Sequence, residues 1–276
     1  MKILSTNSTF FAALPSQFKY IYPAVELADI NDTNVTYGAK TIFVSENKEA
    51  HELIQLVHQK KYTHIVQYNE DYFLNDLELA ALIIDKPELY FSGQAQILIK
   101  EPVKTLVLEF SKASEKENLF LQIHNFFAEV SSQNVQESAL AILEELFMNA
   151  IYDAPKEAKL SGKSHFPYEN GAQAKMILSL SEERLAISCS DPYGSLQMRT
   201  FISRLCEVYD KGAGAAMQMK SGAGAGIGCM IMFENCDNLF LGVIPGRQTV
   251  VSCLIPVGLN YRRRASMKKS LHLITV

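Results

Sequence analysis

The chain has 276 residues, 48% of them hydrophobic and 20% charged, with 26 Lys and Arg against 30 Asp and Glu for a net charge of -4. That balance describes a globular protein of one large or two ordinary domains and excludes both a disordered chain and a broad cationic nucleic-acid surface. Five cysteines without a CxxC pair, no apolar run near the roughly 18 residues of a membrane span and no signal-peptide pattern lead to the expectation of a soluble cytoplasmic protein without zinc or disulfides.

Up to residue 102 the pattern alternates strand and helix. Strands are expected over 40–45 and 63–68, where β-branched and aromatic residues cluster, with a helix between them carrying Leu53, Ile54, Leu56 and Val57. A second helix over 73–84 stops before Pro87, and a last strand is expected over 96–100. This order predicts a small parallel α/β domain of the flavodoxin or receiver type over 1–102. The segment resembles a response-regulator receiver, but Ser5, Thr6 and Asn7 follow the first strand where an acidic pair would hold Mg2+, and Asp29 and Asp32 read as loop residues. The resemblance therefore implies a degenerate module for protein contacts. His51 reads as a surface helix residue and His124 as a core or interface histidine; His51-Glu52 also fails HExxH, lacking the second His.

From residue 103 the reading changes to helices on one face of a mostly antiparallel sheet. An alternating strand with Leu106, Leu108 and Phe110 leads to a helix bearing Leu119, Ile123, Phe126 and Phe127. A second helix opens at Asn134 and Glu137, spaced as a capping box, buries Val135, Ala139, Ile142, Leu143, Leu146 and Ala150, and ends at Pro155. A hairpin follows over 175–180 and 184–190, then a long segment to residue 226 with a helix over 198–209, a short helix over 228–235, and a final hairpin over 238–244 and 249–256 turned at Pro245-Gly246.

Three features carry chemistry. Glu145, Asn149 and Asp153 share one face of the second helix, off its apolar stripe. A carboxylate can serve as a base and a carboxamide oxygen suits a hard cation such as Mg2+, so the face is either a nucleotide site or a solvated polar stripe. Asp191 ends a strand, where it is either a turn residue or an acceptor for the exocyclic amine of adenine. Gly222, Gly224, Gly226 and Gly228, with Ile227 between the last two, run directly into an apolar helix. Such a run is a phosphate cradle or a flexible linker, and the helix behind it favours the cradle. It is not a dinucleotide fingerprint, because Ile227, Cys229 or Ile231 takes the third glycine position in every frame. Gly162-Lys163-Ser164 is not a P-loop, because Glu157 stands where the leading glycine belongs.

The order Glu145-xxx-Asn149, Asp191 with Gly194, Gly222 to Gly228, then Gly246-Arg-Gln-Thr249 resembles the ATPase domain of the gyrase, histidine kinase and MutL (GHKL) superfamily over about 103–258. Within it, the compact anti-sigma-factor serine kinases are the most similar branch. The resemblance implies an α+β two-layer sandwich that binds ATP and Mg2+. Asn149 would hold Mg2+, Glu145 would activate the nucleophile, and Asp191 would bind adenine with Thr249 helping through a water. Residues 222–228 would wrap the phosphates and 195–221 would form a lid, with Arg199, Arg204, Lys211 and Lys220 as phosphate contacts or a solvated charged face. Glycine is usual two residues after the adenine-binding Asp; here Tyr193 holds that place and Gly194 follows. The implied function is an ATP-dependent serine/threonine kinase or ATPase of signal transduction acting on a protein partner, such as a sigma-factor-like regulator. The alternatives are a non-catalytic ATP-responsive binding module and a histidine kinase remnant. A homodimer is compatible with either. Residues 259–276 read as a basic, frayed and solvated tail.

Overall fold

The computed structural model describes residues 2–5, 26–29, 40–46, 48–60, 62–128, 132–155, 171–212, 227–258 and 267–276. They form an α/β protein built on one mixed ten-stranded sheet. Its elements in chain order are β1 (Lys2–Ser5), β2 (Glu26–Asp29), β3 (Thr41–Ser45), α1 (Ala50–Lys60), β4 (His64–Gln67), α2 (Phe73–Asp85), α3 (Pro87–Gly93), α4 (Ala95–Leu98) and β5 (Lys104–Phe110). There follow α5 (Lys116–Phe127), α6 (Gln133–Met148), β6 (Ala174–Leu180), β7 (Arg184–Asp191), α7 (Met198–Lys211), α8 (Ile227–Asn235), β8 (Asn238–Ile244), β9 (Gln248–Pro256) and β10 (Ser270–Thr275). No helix among the described residues is long and apolar enough to cross a membrane.

The strand order is β2-β1-β3-β4-β10-β8-β9-β7-β6-β5. The first four are parallel, and β3 and β4 are buried along their whole length, as suits the β-branched and aromatic runs Thr41–Ser45 and His64–Gln67 in a sheet covered on both faces. The strands from β8 to β5 pair antiparallel. One face of the sheet carries α1, α5, α6, α7 and α8 over a core that includes Phe43, Ile65, Phe110, Ile187 and Leu241. The other face is covered by α2 against β1, β3 and β4, and by α3 and α4 against β6 to β10.

The sheet runs without a break across the boundary expected at residue 103, because β10 pairs with both β4 and β8, and two side-chain devices tie the halves further. The first is Tyr90 of α3, whose hydroxyl bonds Ser252 Oγ at 3.0 Å and the Val250 carbonyl at 3.2 Å, while Gly242 leaves room for its ring. The second is a buried ion cluster. Arg184, at the start of β7, donates to both carboxylate oxygens of Asp76 in α2 and, at 2.6 Å, to Asp237, and its guanidinium lies 4.1 Å from the Tyr72 ring centroid. A buried guanidinium persists only where its donors meet anions, which these carboxylates supply.

Four expectations are corrected. Residues 96–100 are not a strand: 95–98 form α4, packed by Ala95 and Leu98 on the sheet, after Gln94 turns the chain with φ 49°. Short apolar runs fit either period, and tertiary packing decides between them. The C-terminal segment is not a frayed solvated tail; Ser270–Thr275 is β10, inserted between β4 and β8 with Leu271 and His272 buried. Its basic flank masks a strand whose neighbours come from distant parts of the chain. Asp29 ends strand β2 and not a loop, while Asp32 lies outside the described residues. Asn134 does not cap α6, which begins one residue earlier after an N-cap Ser132 that makes no side-chain cap bond.

Candidate functional site

The apolar stripe of α6 buries Val135, Ala139, Ile142, Leu143 and Leu146, so Glu145 is left at the margin of the core, half-buried. At Asn149 the helix widens. The Ala154 N–H donates to the Asn149 carbonyl at 2.9 Å, and Asn149–Asp153 forms a single π turn. Such turns break the regular pitch and re-aim side chains, and they recur at functional positions. Asn149 is half-buried and Asp153 exposed. Glu145 is held above the ordinary carboxylate range, first by burial and then by the negative charges of Glu144 and Asp153.

Helix α8 packs against α6, with Cys229, Met232 and Phe233 buried. Its first turn meets Glu145 directly: a Cβ on Gly228 would stand 2.1 Å from Glu145 Oε2. A glycine is required there for the carboxylate to lie against the helix N-terminus. Burial, the main cause, pushes the Cys229 thiol up to about 12, with Arg204 lowering it and Glu145 and Asp153 raising it. Ile227 and Gly228 are described; Gly222, Gly224, Gly226 and Lys220 lie outside the described residues.

Asp191 is the last residue of β7 and pairs in register with Thr249 of β9. Burial pushes its carboxyl up to about 6, against the lowering effect of the Tyr193 N–H, which donates to Oδ1 at 2.9 Å, the Thr249 hydroxyl and the Gly194 N–H. Thr249 Oγ1 is close enough to act on that carboxyl electrostatically, yet it is buried and completes no well-formed hydrogen bond within the protein. An acceptor and an incompletely satisfied donor therefore stand side by side.

The loop after Asp191 is fixed at both ends of Gly194-Ser195. Gly194 has φ +58°, its carbonyl accepts from the Gly246 N–H at 3.2 Å, and a Cβ on it would stand 2.1 Å from the Ile244 carbonyl oxygen. Both the left-handed backbone and the close approach require glycine. Ser195 Oγ donates to the Ala154 carbonyl at 2.8 Å, tying this loop to the end of the turn that carries Asn149 and Asp153. In sequence Ser195 reads only as the start of a lid; no local pattern reveals a bond to a residue 41 positions away.

The structure thus brings Glu145 to Gly228, Asp191 to Thr249, and the Asp191 loop to the turn containing Asn149. Arg199, Arg204 and Lys211 lie on α7, which packs against both α1 and α8. His51 is exposed, as expected, and His124 is exposed too and not in the core. A separate cleft of about 560 Å³, lined by Glu46, Tyr68, Asn69, Glu70, Asp71 and Lys268, shares no residue with the site. Set against known proteins, the chain matches no protein-family model and no curated protein.

Proposed function

We propose that the chain binds ATP with Mg2+ where α6, β7 and α8 meet, and acts as a signalling kinase or ATPase on a protein partner. The observation that carries this reading is the Glu145 carboxylate lying against Gly228 at the N-terminus of α8. A helix N-terminus attracts phosphate, and a half-buried carboxylate of raised pKa beside it is a base suited to a hydroxyl or water.

The residues present fit the nucleotide. Ionised Asp191 accepts from an exocyclic amine and rejects a ring that presents a carbonyl there, and the buried Thr249 hydroxyl stands beside it without a well-formed bond of its own. Asn149 Oδ1 would hold Mg2+, which when bound neutralises charge on the phosphate oxygens. Glu145 would accept the proton of the attacking serine, threonine or water oxygen as that oxygen bonds to the γ-phosphorus and the bond to ADP breaks. Gly194, one place later than the usual glycine, takes the left-handed turn, and Tyr193 contributes its N–H to Asp191.

Two features of the fold support the same reading. The parallel order β2-β1-β3-β4 is that of flavodoxin-like and receiver sheets, and the antiparallel strands β5 to β9 under α5 to α8 suit a GHKL-type sandwich. We assign the first to residues 1–102 as a contact module and the second to 103–258, in a cytoplasmic protein that takes a sigma-factor-like regulator or a second copy as partner.

A non-catalytic ATP-responsive module is the second reading. It is favoured by the packing of α1 on α7, where Gln55 Nε2 donates to Asp210 Oδ1 at 3.3 Å, because α7 leads into the glycine segment. Calorimetric titration of ATP, ADP and GTP with Mg2+, followed by ADP release and transfer of labelled phosphate to added proteins, tests both. No ATP binding sinks the whole assignment. Binding without ADP release selects the second reading.

A further inference from the structure

We propose that Lys269, in the segment leading into β10, is a positioning residue that seats α8 and so sets the end of that helix facing Glu145. Lys269 is buried, at 4% exposure, and its ammonium donates to three main-chain carbonyls at and just past the C-terminal end of α8: Phe233 at 2.7 Å, Glu234 at 3.1 Å and Cys236 at 2.7 Å. These three carbonyls meet the hydrogen-bonding demand that a buried ammonium makes. The carbonyls concerned include those a helix end leaves unpaired, and a cation there also complements the helix dipole. The Phe233 ring lies 5.3 Å from the same nitrogen.

Lys269 is itself held from the other half of the sheet. Its N–H donates to Gln67 Oε1 at 2.7 Å, and Gln67, at the end of β4, donates through Nε2 to the Lys48 carbonyl at 2.6 Å. A nine-residue helix is a rod of roughly 13 Å, too short to flex, so a shift at its C-terminus is carried to Gly228. The connection runs from Gln67 through Lys269 and along α8 to the Glu145 carboxylate. For its ligand arm this inference rests on the reading of that end of α8 as a phosphate site.

The test compares wild type with Lys269→Met, Lys269→Arg and Gln67→Ala in the full chain, by amide hydrogen exchange over 227–235 and by titration with Mg·ATP. In Lys269→Met, exchange in α8 should quicken at least tenfold while β6 and β7 keep their protection, and ATP affinity should fall at least fivefold. Lys269→Arg should recover most of both. Gln67→Ala, which leaves the ammonium in place, should move both in the same direction by less and serves if Lys269→Met does not fold. Unchanged α8 exchange in Gln67→Ala and Lys269→Met, or protection lost evenly over the sheet, overturns the inference. If α8 responds as expected while wild type binds no ATP, the positioning role stands and the ATP reading falls.

Discussion

Glu145 occupies the space that a side chain at residue 228 would need, with Oε2 standing 2.1 Å from the position of a Cβ there. The obstructing atom is the tip of a flexible side chain and not backbone, so a substitution can push it aside. Gly228→Ala should leave stability within about 1 kcal/mol of wild type, since alanine is the better helix former. Phosphotransfer or ATP hydrolysis should nonetheless fall by at least tenfold, because the carboxylate is displaced. Thermal unfolding alongside an ADP-release assay checks this, and a variant with unchanged turnover would remove Glu145 from the mechanism.

Gly194 and Gly246 both have positive φ, but only Gly194 is also hemmed in by backbone atoms. Gly246→Ala should cost about 1–2 kcal/mol for the left-handed conformation alone. Gly194→Ala should cost more than that and should weaken ATP binding as well, since the Ile244 carbonyl cannot yield without moving the Asp191 loop. Denaturant unfolding of the two variants measures the difference; equal costs would mean that the close approach is not maintained.

On the proposed reading the Asp191 carboxyl, pushed up to about 6 by burial, must be ionised to accept from adenine. ATP affinity should therefore be level above pH 7 and fall toward tenfold per pH unit below about 6, with protons released on binding near that pH. Asp191→Asn should lose most affinity at every pH. On stability the sign is reversed: the native state holds this proton more tightly than the unfolded chain, so the contribution is lost as pH rises from about 4 to about 6. Calorimetric titrations in buffers of different ionisation heat read the proton release directly.

Removing Arg184 would leave Asp76 and Asp237 as neighbouring buried carboxylates. Arg184→Met should destabilise the protein by about 3–5 kcal/mol, the cost typical of breaking a buried ion pair from one side. Burial already holds Asp237 above the ordinary carboxylate range, with Arg184 the main opposing influence. Loss of the guanidinium should drive it higher, so the variant should recover stability on mild acidification where wild type gains less. Urea unfolding at pH 7 and pH 5 tests both statements.

His64 and His272 face each other across the β4–β10 seam with Nδ1 atoms 3.3 Å apart. Burial, together with His64, holds His272 well below the ordinary imidazole range. The unfolded chain therefore binds a proton that the native state refuses, and stability is lost as pH falls below about 6.5. His272→Leu should flatten that loss by up to about 1.4 kcal/mol per pH unit. Thermal melts from pH 7 to pH 5 would show it, and an unchanged slope would place the acid sensitivity elsewhere.

Much of the fold follows from local pattern. The β-branched and aromatic runs at Thr41–Ser45 and His64–Gln67, the stripe of α6 and the two later hairpins each carry a local pattern that matches the element observed. The positions of the candidate residues were legible in the same way, because a helix spacing places Glu145 near Asn149 and Asp191 ends a strand. What local pattern could not decide was every feature whose energy comes from a partner far along the chain. Residues 96–100 read as a strand until packing against the sheet made α4 of residues 95–98, and the basic tail hid a strand that exists only between β4 and β8. Likewise the meeting of Glu145 with Gly228, the bond from Ser195 to Ala154 and the seat of Lys269 on α8 join residues about 35 to more than 80 positions apart. Hydrophobic period is a property of neighbours in sequence, whereas the burial that raises a carboxyl or satisfies an ammonium is a property of neighbours in space.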